Sequence, residues 1–450
     1  MLTKLITAGV DVFRLNMSHA PHDWTRAVTG RIREAARQVG RYCAIMMDTQ
    51  GPAIRTGDLA MPLDLKPGDV LELTVKGAQS EEEKSVDVNY ANLVNDIHDG
   101  DTVLLDNGVI KLKVLEKLHR RIKCEVLTEG ALGSRRHINL PGVHISMPSI
   151  TEKDRRDIRL GVELGIDLIA LSFVREAKDI RELRELLHEH DASDTRIIAK
   201  IEDQTAVKNL HELIDGADAI MVARGDLGIE IPYEELPIVQ RRIVKSCIRA
   251  GKPVIVATHM LESMIENPLP TRAEVTDVAN AVYEQADAIM LSGETTVGKY
   301  PLECIEVMDR IASRIERSGG ANYATDADLT DERQKIVRSA VVMANELQAK
   351  GILVFTRFGH MAQYTSWLRP TYSPIFAFAN ATRLANQLNL LRGVYPFVIE
   401  FSSDPELTIR RAEKLLRDRG LLTVGDQVVI ISDILAHDKL INAVQMRLVD

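Results

Sequence analysis

Residues 197 to 228 constrain the chain more than any other stretch. Two short apolar runs, Ile197 to Ile201 and Ala219 to Ala223, have the length and bulk of strands buried on both faces. Between them, Val207, Leu210, Leu213 and Ile214 recur at helical spacing. Such a segment folds as strand, crossover helix and parallel strand. Polar residues stand where the apolar runs stop: Lys200 and Glu202 at the first, Arg224, Gly225 and Asp226 after the second. Side chains two positions apart on a strand point the same way, so Lys200 and Glu202 share one face. In parallel α/β folds the carboxyl ends of the strands carry the site. An ammonium and two carboxylates there suit a hard divalent cation beside a phosphate. A solvated ion pair at a strand end accounts for the same residues equally well.

The rhythm recurs along much of the chain. Strands are expected at Val12 to Met17, Tyr42 to Met47, Leu168 to Phe173, Ile197 to Ile201, Ala219 to Ala223, Pro253 to Thr258 and Ala288 to Ser292. Helices are expected at Leu2 to Ala8, at Trp24 to Val39 with Gly40 after it, around Ile180, Leu183, Leu186 and Leu187, and up to about Ser318. This spacing is that of a β/α (TIM) barrel formed by residues 1–51 and 149–318. The count is seven strands rather than eight, and the chain opens on a helix; a trimmed N-terminus lacking the first barrel strand is the expectation.

Residues 52–148 read differently, as short alternating runs broken by P-G-D, H-D-G-D, D-N-G and L-P-G turns. Val70 to Val75, Thr102 to Leu105, Val109 to Val114 and Ile122 to Leu127 are its candidate strands, which makes it an all-β insertion. An S-G-G-A-N-Y linker follows the barrel. A separate α/β domain then spans 330–450, with a helix at Ile336 to Leu347 and strands at Ile352 to Thr356, Ile375 to Phe378, Val394 to Val398 and Val428 to Ile431.

A net charge of −9 without long like-charged blocks argues against nucleic acid and anionic membranes as partners. Cys43, Cys124, Cys247 and Cys304 are far apart and read as reduced core thiols of a cytoplasmic protein. No apolar run is long enough to span a bilayer.

Several strand ends share one chemistry. F-R-L-N-M-S-H supplies Arg14, Asn16, Ser18 and His19, and M-M-D-T-Q-G-P-A-I-R-T-G supplies Asp48, Thr49 and Arg55. A-K-I-E, M-V-A-R-G-D-L-G, V-A-T-H-M-L-E-S-M, P-T-R-A-E-V-T-D-V-A-N-A-V and I-M-L-S-G-E-T complete the series. In this order, and with a β insertion after the third barrel strand and a C-terminal α/β domain, the chain resembles pyruvate kinase over essentially its whole length.

The resemblance implies phosphoryl transfer from phosphoenolpyruvate to ADP, giving pyruvate and ATP, with Mg2+ or Mn2+ as cofactor. It places Lys200 at the transferring phosphoryl group and the forming enolate, as the catalytic residue. Arg14 would grip the phosphate, and Glu202 and Asp226 would hold the divalent cation, Asp226 lying against the substrate. The Gly225 N–H and Thr258 hydroxyl would take the substrate carboxylate, and a backbone N–H at the start of a helix is a natural anion donor. Asn16, His19, Arg55 and Lys153 would serve the nucleotide. Asn16, Ser18, Asp48 and Thr49 match the family's potassium site. Arg224 and Glu294 read as supporting charges, Glu294 and Ser292 equally as caps of the next helix. The insertion is expected to act as a lid that excludes water, and the family implies a homotetramer.

Three departures stand out. Ala53 occupies a position where the family carries Glu or Lys, and leaves potassium dependence open. His259 replaces the usual Gln. T-R-F-G-H-M-A lacks the Ser/Thr-rich phosphate loop of sugar-phosphate-activated members. Two other readings fit part of the pattern. A magnesium-dependent enolate lyase would need Glu202 and Asp226 but neither Arg55, Lys153 nor the insertion. A non-catalytic effector-binding homologue would need none of the turnover chemistry.

Overall fold

The computed structural model describes residues 1–436 and 439–450. Its largest sheet is parallel and curled, with seven strands in sequence order: β1 (Val12–Asn16), β2 (Ala44–Asp48), β3 (Leu168–Leu171), β4 (Arg196–Ile201), β5 (Ala219–Ala223), β6 (Val254–Ala257) and β7 (Ala288–Met290). Alternation along the strands sorts their side chains into two cores. Leu15, Ile45, Met47, Ile169, Leu171, Ile197, Ala199, Ile201, Ile220, Val222, Val254 and Val256 pack outward against helix residues such as Ile32, Leu183 and Ile243. Ala44, Met46, Leu168, Ala170, Ile198, Ala219, Met221, Ile255 and Ala257 form a separate inner cluster. Two alanines of that inner set, Ala170 and Ala257, lie at the carboxyl ends of β3 and β6 and leave the lumen room there. Arg14, Asp48, Lys200 and Glu202 stand at even steps from inner residues, so the pleat that buries the alanines also aims these polar groups inward.

Leu390, from the C-terminal domain, joins the inner cluster and is 3% exposed. It plugs the end of the barrel opposite the polar rim, and the neighbouring Asn389 donates to the Tyr42 carbonyl at 3.0 Å. β1 and β7 are the edge strands of the sheet, and a cavity of about 970 Å³ opens between them, lined by Val12, Arg14, Ile289 and Leu291 among others.

Most strand limits shift from those expected, and at three barrel strands a local turn or hydrogen bond sets the new end. β2 begins two residues later and runs on to Asp48, which pairs with Asn16 of β1 and Ala170 of β3. β3 stops at Leu171 because Phe173 turns to a φ of 52°. β6 stops at Ala257 because Thr258 has a φ of 71°. β7 stops at Met290, since the Ser292 N–H turns to the Glu294 carboxylate at 2.7 Å. The single helix expected over Val207 to Ile214 is two, Gln204–Lys208 and Leu210–Gly216, broken at Asn209, whose amide donates to the Arg175 carbonyl at 2.9 Å.

Between β2 and β3 the chain forms a six-stranded sheet and a two-stranded ribbon around a core of their own. The sheet includes Val70–Val75, Thr102–Leu105, Ile110–Leu118 and Arg121–Val126; the last two lie slightly off the expected ranges, and Ile110–Leu118 carries a bulge between Val114 and Glu116. The two crossings into this insertion are tied together. The Asp154 carboxylate accepts the N–H groups of Gln50 at 3.0 Å and Gly51 at 3.2 Å, while its other oxygen completes a capping box with Thr151. Gly51 sits at a φ of 68°, and a Cβ there would meet the Phe173 ring at 2.8 Å, so the hinge requires glycine.

The C-terminal residues form a five-stranded sheet whose last two strands, Gln427–Ala436 and Lys439–Leu448, make an antiparallel hairpin. Asp287, at the start of β7, grips Arg369 of this domain through two bonds of 2.8 and 2.9 Å, both side chains being buried. Among the described residues, no helix is long and apolar enough to cross a membrane.

Candidate active site

The inward polar residues of β1 to β4 converge on one charge cluster. Lys200 Nζ lies 3.0 Å from Asp48 Oδ1 and 2.8 Å from Glu202 Oε1, and donates to Ser172 Oγ at 2.8 Å. Arg14 Nε donates to the other Asp48 oxygen at 2.5 Å. Glu202 Oε2 accepts the Phe173 N–H at 2.6 Å. Lys200 is 7% exposed, Asp48 and Glu202 1%, so this is no solvated surface pair.

Burial opposes charge on Lys200, yet the Asp48 and Glu202 carboxylates outweigh it and hold the ammonium above the ordinary lysine range. Asp48 is kept below the usual carboxylate range because Lys200 and Arg14 together overcome its burial. Burial pushes Glu202 up to about 7; Lys200 opposes the rise and Asp226 adds to it. The two carboxylates diverge because Asp48 faces two cations, whereas Glu202 shares one cation and feels both Asp226 and Asp48.

The second part of the site lies at the ends of β5 and β6. The Gly225 N–H donates to Thr258 Oγ1 at 2.8 Å, and that hydroxyl donates to the Ala257 carbonyl at 2.7 Å. Both groups expected to take a substrate carboxylate are thus brought together. Gly225 and Asp226 open the short helix Arg224–Glu230 directly after β5. His259 is exposed, its Nε2 3.9 Å from a Glu262 oxygen. Glu294 is buried and accepts from Leu261 N–H at 3.1 Å as well as from Ser292, which makes it a brace between two loops rather than a free charge.

The remaining expected residues are less concentrated. Asn16 Oδ1 accepts the Ser18 N–H at 3.1 Å, and Thr49 Oγ1 donates to the Ala170 carbonyl at 3.3 Å, beside Asp48. His19 is exposed on the turn after β1. Lys153 bonds locally, to the Met17 carbonyl at 2.6 Å and Asp157 at 2.7 Å. Arg55 is exposed on the insertion and reaches the Arg135 carbonyl at 3.2 Å.

Two residues escaped the sequence reading. Ser172, which bonds both Lys200 and Asp48, follows β3 in the A-L-S-F segment; its signal is the strand-end position it shares with the others. His137, on the insertion, has its basicity lowered by burial, with the Asp226 charge opposing that and Arg55 adding to it. It carried no local signal, because only the folding of the insertion over the barrel brings it there.

The insertion touches the barrel at that same segment. Asn139 donates to the buried Glu230 carboxylate at 3.0 Å, and the Arg175 side chain donates to the Ile145 carbonyl at 2.8 Å. Burial raises Glu230 from 4.5 to about 7. A carboxyl whose folded value is raised stabilises the fold below its unfolded pKa, and that contribution fades as pH rises from about 4.5 through 7. Glu230→Gln is therefore expected to melt like the parent at pH 4.5 and to be more stable at pH 8, by up to about 3 kcal/mol. Melting curves across that range check it, and parallel pH profiles for the two proteins would contradict it.

All four cysteines are buried free thiols, and burial pushes Cys43 up to about 11 and Cys124 up to about 12, so they are packing groups rather than nucleophiles.

Comparison with known proteins gives one answer from several directions. Residues 1–305 match the model of the pyruvate kinase barrel domain, and 334–444 that of the pyruvate kinase alpha/beta domain. Plastidial pyruvate kinase 3 of Arabidopsis thaliana is 44% identical over 435 residues, covering 96% of this chain and 76% of that protein. The pyruvate kinase of Geobacillus stearothermophilus is 41% identical over 440 residues, covering 96% and 75%. That of Bacillus licheniformis is 40% identical over 439 residues, covering 95% and 74%. A curled parallel sheet with its charged rim, matched from the first strand into the C-terminal domain, leaves one assignment: the chain belongs to the pyruvate kinase family.

Proposed function

We propose that this phosphotransferase moves the phosphoryl group of phosphoenolpyruvate to ADP at the carboxyl ends of β1 to β6, with Lys200 as its catalytic residue. The observation that carries this reading is a buried ammonium held between Asp48 and Glu202 at the end of β4, at 3.0 and 2.8 Å. Three carboxylates, Asp48, Glu202 and Asp226, against two cations, Arg14 and Lys200, leave the cluster formally one negative; a divalent cation turns it positive, as a phosphate ligand needs.

Glu202 and Asp226 fit Mg2+ or Mn2+. Among the described residues no group of three or more His, Cys, Asp and Glu gathers as a metal site. Mg2+ is commonly held by one or two carboxylates with water and substrate oxygens, so two carboxylates would suffice to hold it here. When bound, the ion neutralises charge on the phosphate and carboxylate oxygens.

The protein's own groups do the rest. Arg14 grips the phosphate from β1. The Thr258 hydroxyl turns off the Ala257 carbonyl and, with the Gly225 N–H, takes the substrate carboxylate. Lys200 faces the bridging oxygen, so the P–O bond that breaks leaves an enolate beside an ammonium while the new P–O bond forms to the terminal ADP oxygen. The enolate then takes a proton at carbon to give pyruvate. Arg55, with Asn16, His19 and Lys153, serves the nucleotide, Lys153 only after leaving Asp157. The insertion, hinged at Gly51 and Asp154, closes over the transfer and keeps water out.

Glu202→Gln is expected to raise the Mg2+ concentration for half-maximal pyruvate formation at least tenfold; an unchanged titration would remove Glu202 from the metal site. A potassium ion at Asn16, Ser18, Asp48 and Thr49 has to share Asp48 with Arg14 and Lys200, and Ala53 adds no charge. Replacing potassium with tetramethylammonium at constant ionic strength is expected to slow turnover several-fold, and an unchanged rate removes the ion from the scheme. A homotetramer and a cytoplasmic location belong to the same proposal; sedimentation of the purified chain measures the first. ADP-dependent pyruvate release separates this reading from the lyase and effector-binding alternatives.

A further inference from the structure

Thr258 and His259 are consecutive non-glycine residues at positive φ, 71° and 55°. A β-branched residue in that region is an outlier that persists only where its surroundings over-determine it. One side chain supplies the constraint. Arg224 Nη2 donates to the Thr258 carbonyl at 2.6 Å and Nε to the Ala257 carbonyl at 3.2 Å, gripping the peptide groups on both sides of Thr258. The opposite edge of the guanidinium forks onto Asp277 at 2.6 and 2.8 Å. Gln240, itself fixed by Glu284 at 3.0 Å, approaches Nη1 at 3.4 Å. Asp277 stands on the helix Arg272–Tyr283, whose start is locked by a Thr271–Glu274 capping box. The backbone of Arg224 matters as well, because the Gly225 N–H belongs to the peptide that Arg224 begins.

We propose that Arg224, clamped by Asp277, is a positioning residue that holds the strained Thr258 turn against the Gly225 N–H and so sets the geometry of the substrate-carboxylate cradle. The inference rests on the reading that Thr258 and Gly225 take that carboxylate. Its side chain touches no reacting atom; it acts through Thr258. A lysine at 224 keeps the charge but lacks the planar fork: three donors on one nitrogen cannot replace the four bonds that Arg224 makes to the Ala257 and Thr258 carbonyls and both Asp277 oxygens.

The test is a double-mutant cycle on the intact enzyme with Arg224→Lys and Thr258→Val, reading KM for phosphoenolpyruvate, KM for ADP, and melting. Arg224→Lys is expected to raise KM for phosphoenolpyruvate at least tenfold, to leave KM for ADP within twofold, and to add nothing further in the Thr258→Val background. Asp277→Asn, which keeps the shape of the clamp, is expected to shift the same constant in the same direction by less. An unchanged KM for phosphoenolpyruvate in Arg224→Lys, or the same fold-change with and without Thr258→Val, overturns the positioning role while leaving the cradle intact. If Thr258→Val itself does not alter KM for phosphoenolpyruvate, the cradle reading fails and the proposal fails with it.

Discussion

Replacing Lys200 with methionine is expected to lower kcat on the order of 10³-fold while changing KM for phosphoenolpyruvate by less than about threefold. Methionine keeps most of the length and apolar stem of lysine and removes only the ammonium. In the proposed reaction the ammonium stands where charge develops as the P–O bond breaks, so its loss would fall on the transition state more than on the ground state. On the same proposal, substrate affinity would be left to Arg14, the Gly225–Thr258 cradle and the divalent cation. Removing a cation from between two buried carboxylates also strains the fold, and Glu202 relieves this by holding a proton more tightly. Melting curves therefore accompany the assay. Equal losses in affinity and turnover would place Lys200 among the binding groups and remove it from the chemical step.

The second large effect is on stability. Asp287→Asn is expected to destabilise the protein by about 3–5 kcal/mol, because Arg369 would be left buried without its countercharge. Asp287 is shared: it also accepts the Val254 N–H at 3.0 Å, at the start of β6. One carboxylate thus joins two barrel strands to the C-terminal domain. The paired replacement Asp287→Leu with Arg369→Met is expected to recover most of the loss, since two apolar groups leave no orphaned charge. Denaturant midpoints for the single and double variants decide it; a loss under about 1 kcal/mol in Asp287→Asn would mean that solvent reaches the pair.

What could be read from the sequence follows the range of the interactions involved. Lys200 and Glu202 were legible because a two-residue period fixes which face a strand residue takes, and the apolar run before them fixes that there is a strand. Ala219–Ala223 and Val394–Val398 were legible for the same reason. The segments Leu63–Leu65, Ser85–Val88, Gly130–Leu132 and Ile138–Asn139 were not. Two to four residues carry no usable period, and their partners lie far away in sequence: Leu63 pairs with Leu132, Ile138 with Leu105. Arg224 reads from the sequence only as a supporting charge, because the partners that give it meaning come from another loop and another helix. Lys153 shows what a motif position hides: its local carboxylate, Asp157 one turn along the helix, bonds it at 2.7 Å, and only the fold reveals that competition.

Leu390 carries a consequence for how the chain can be divided. The linker after the barrel looks like a natural place to cut, yet excising the C-terminal domain would uncork the barrel floor and bare Ala44, Met46 and Leu168 to water. The catalytic and C-terminal portions are then expected to depend on each other to fold, and a fragment ending near residue 320 to be a sticky intermediate rather than a working minimal enzyme.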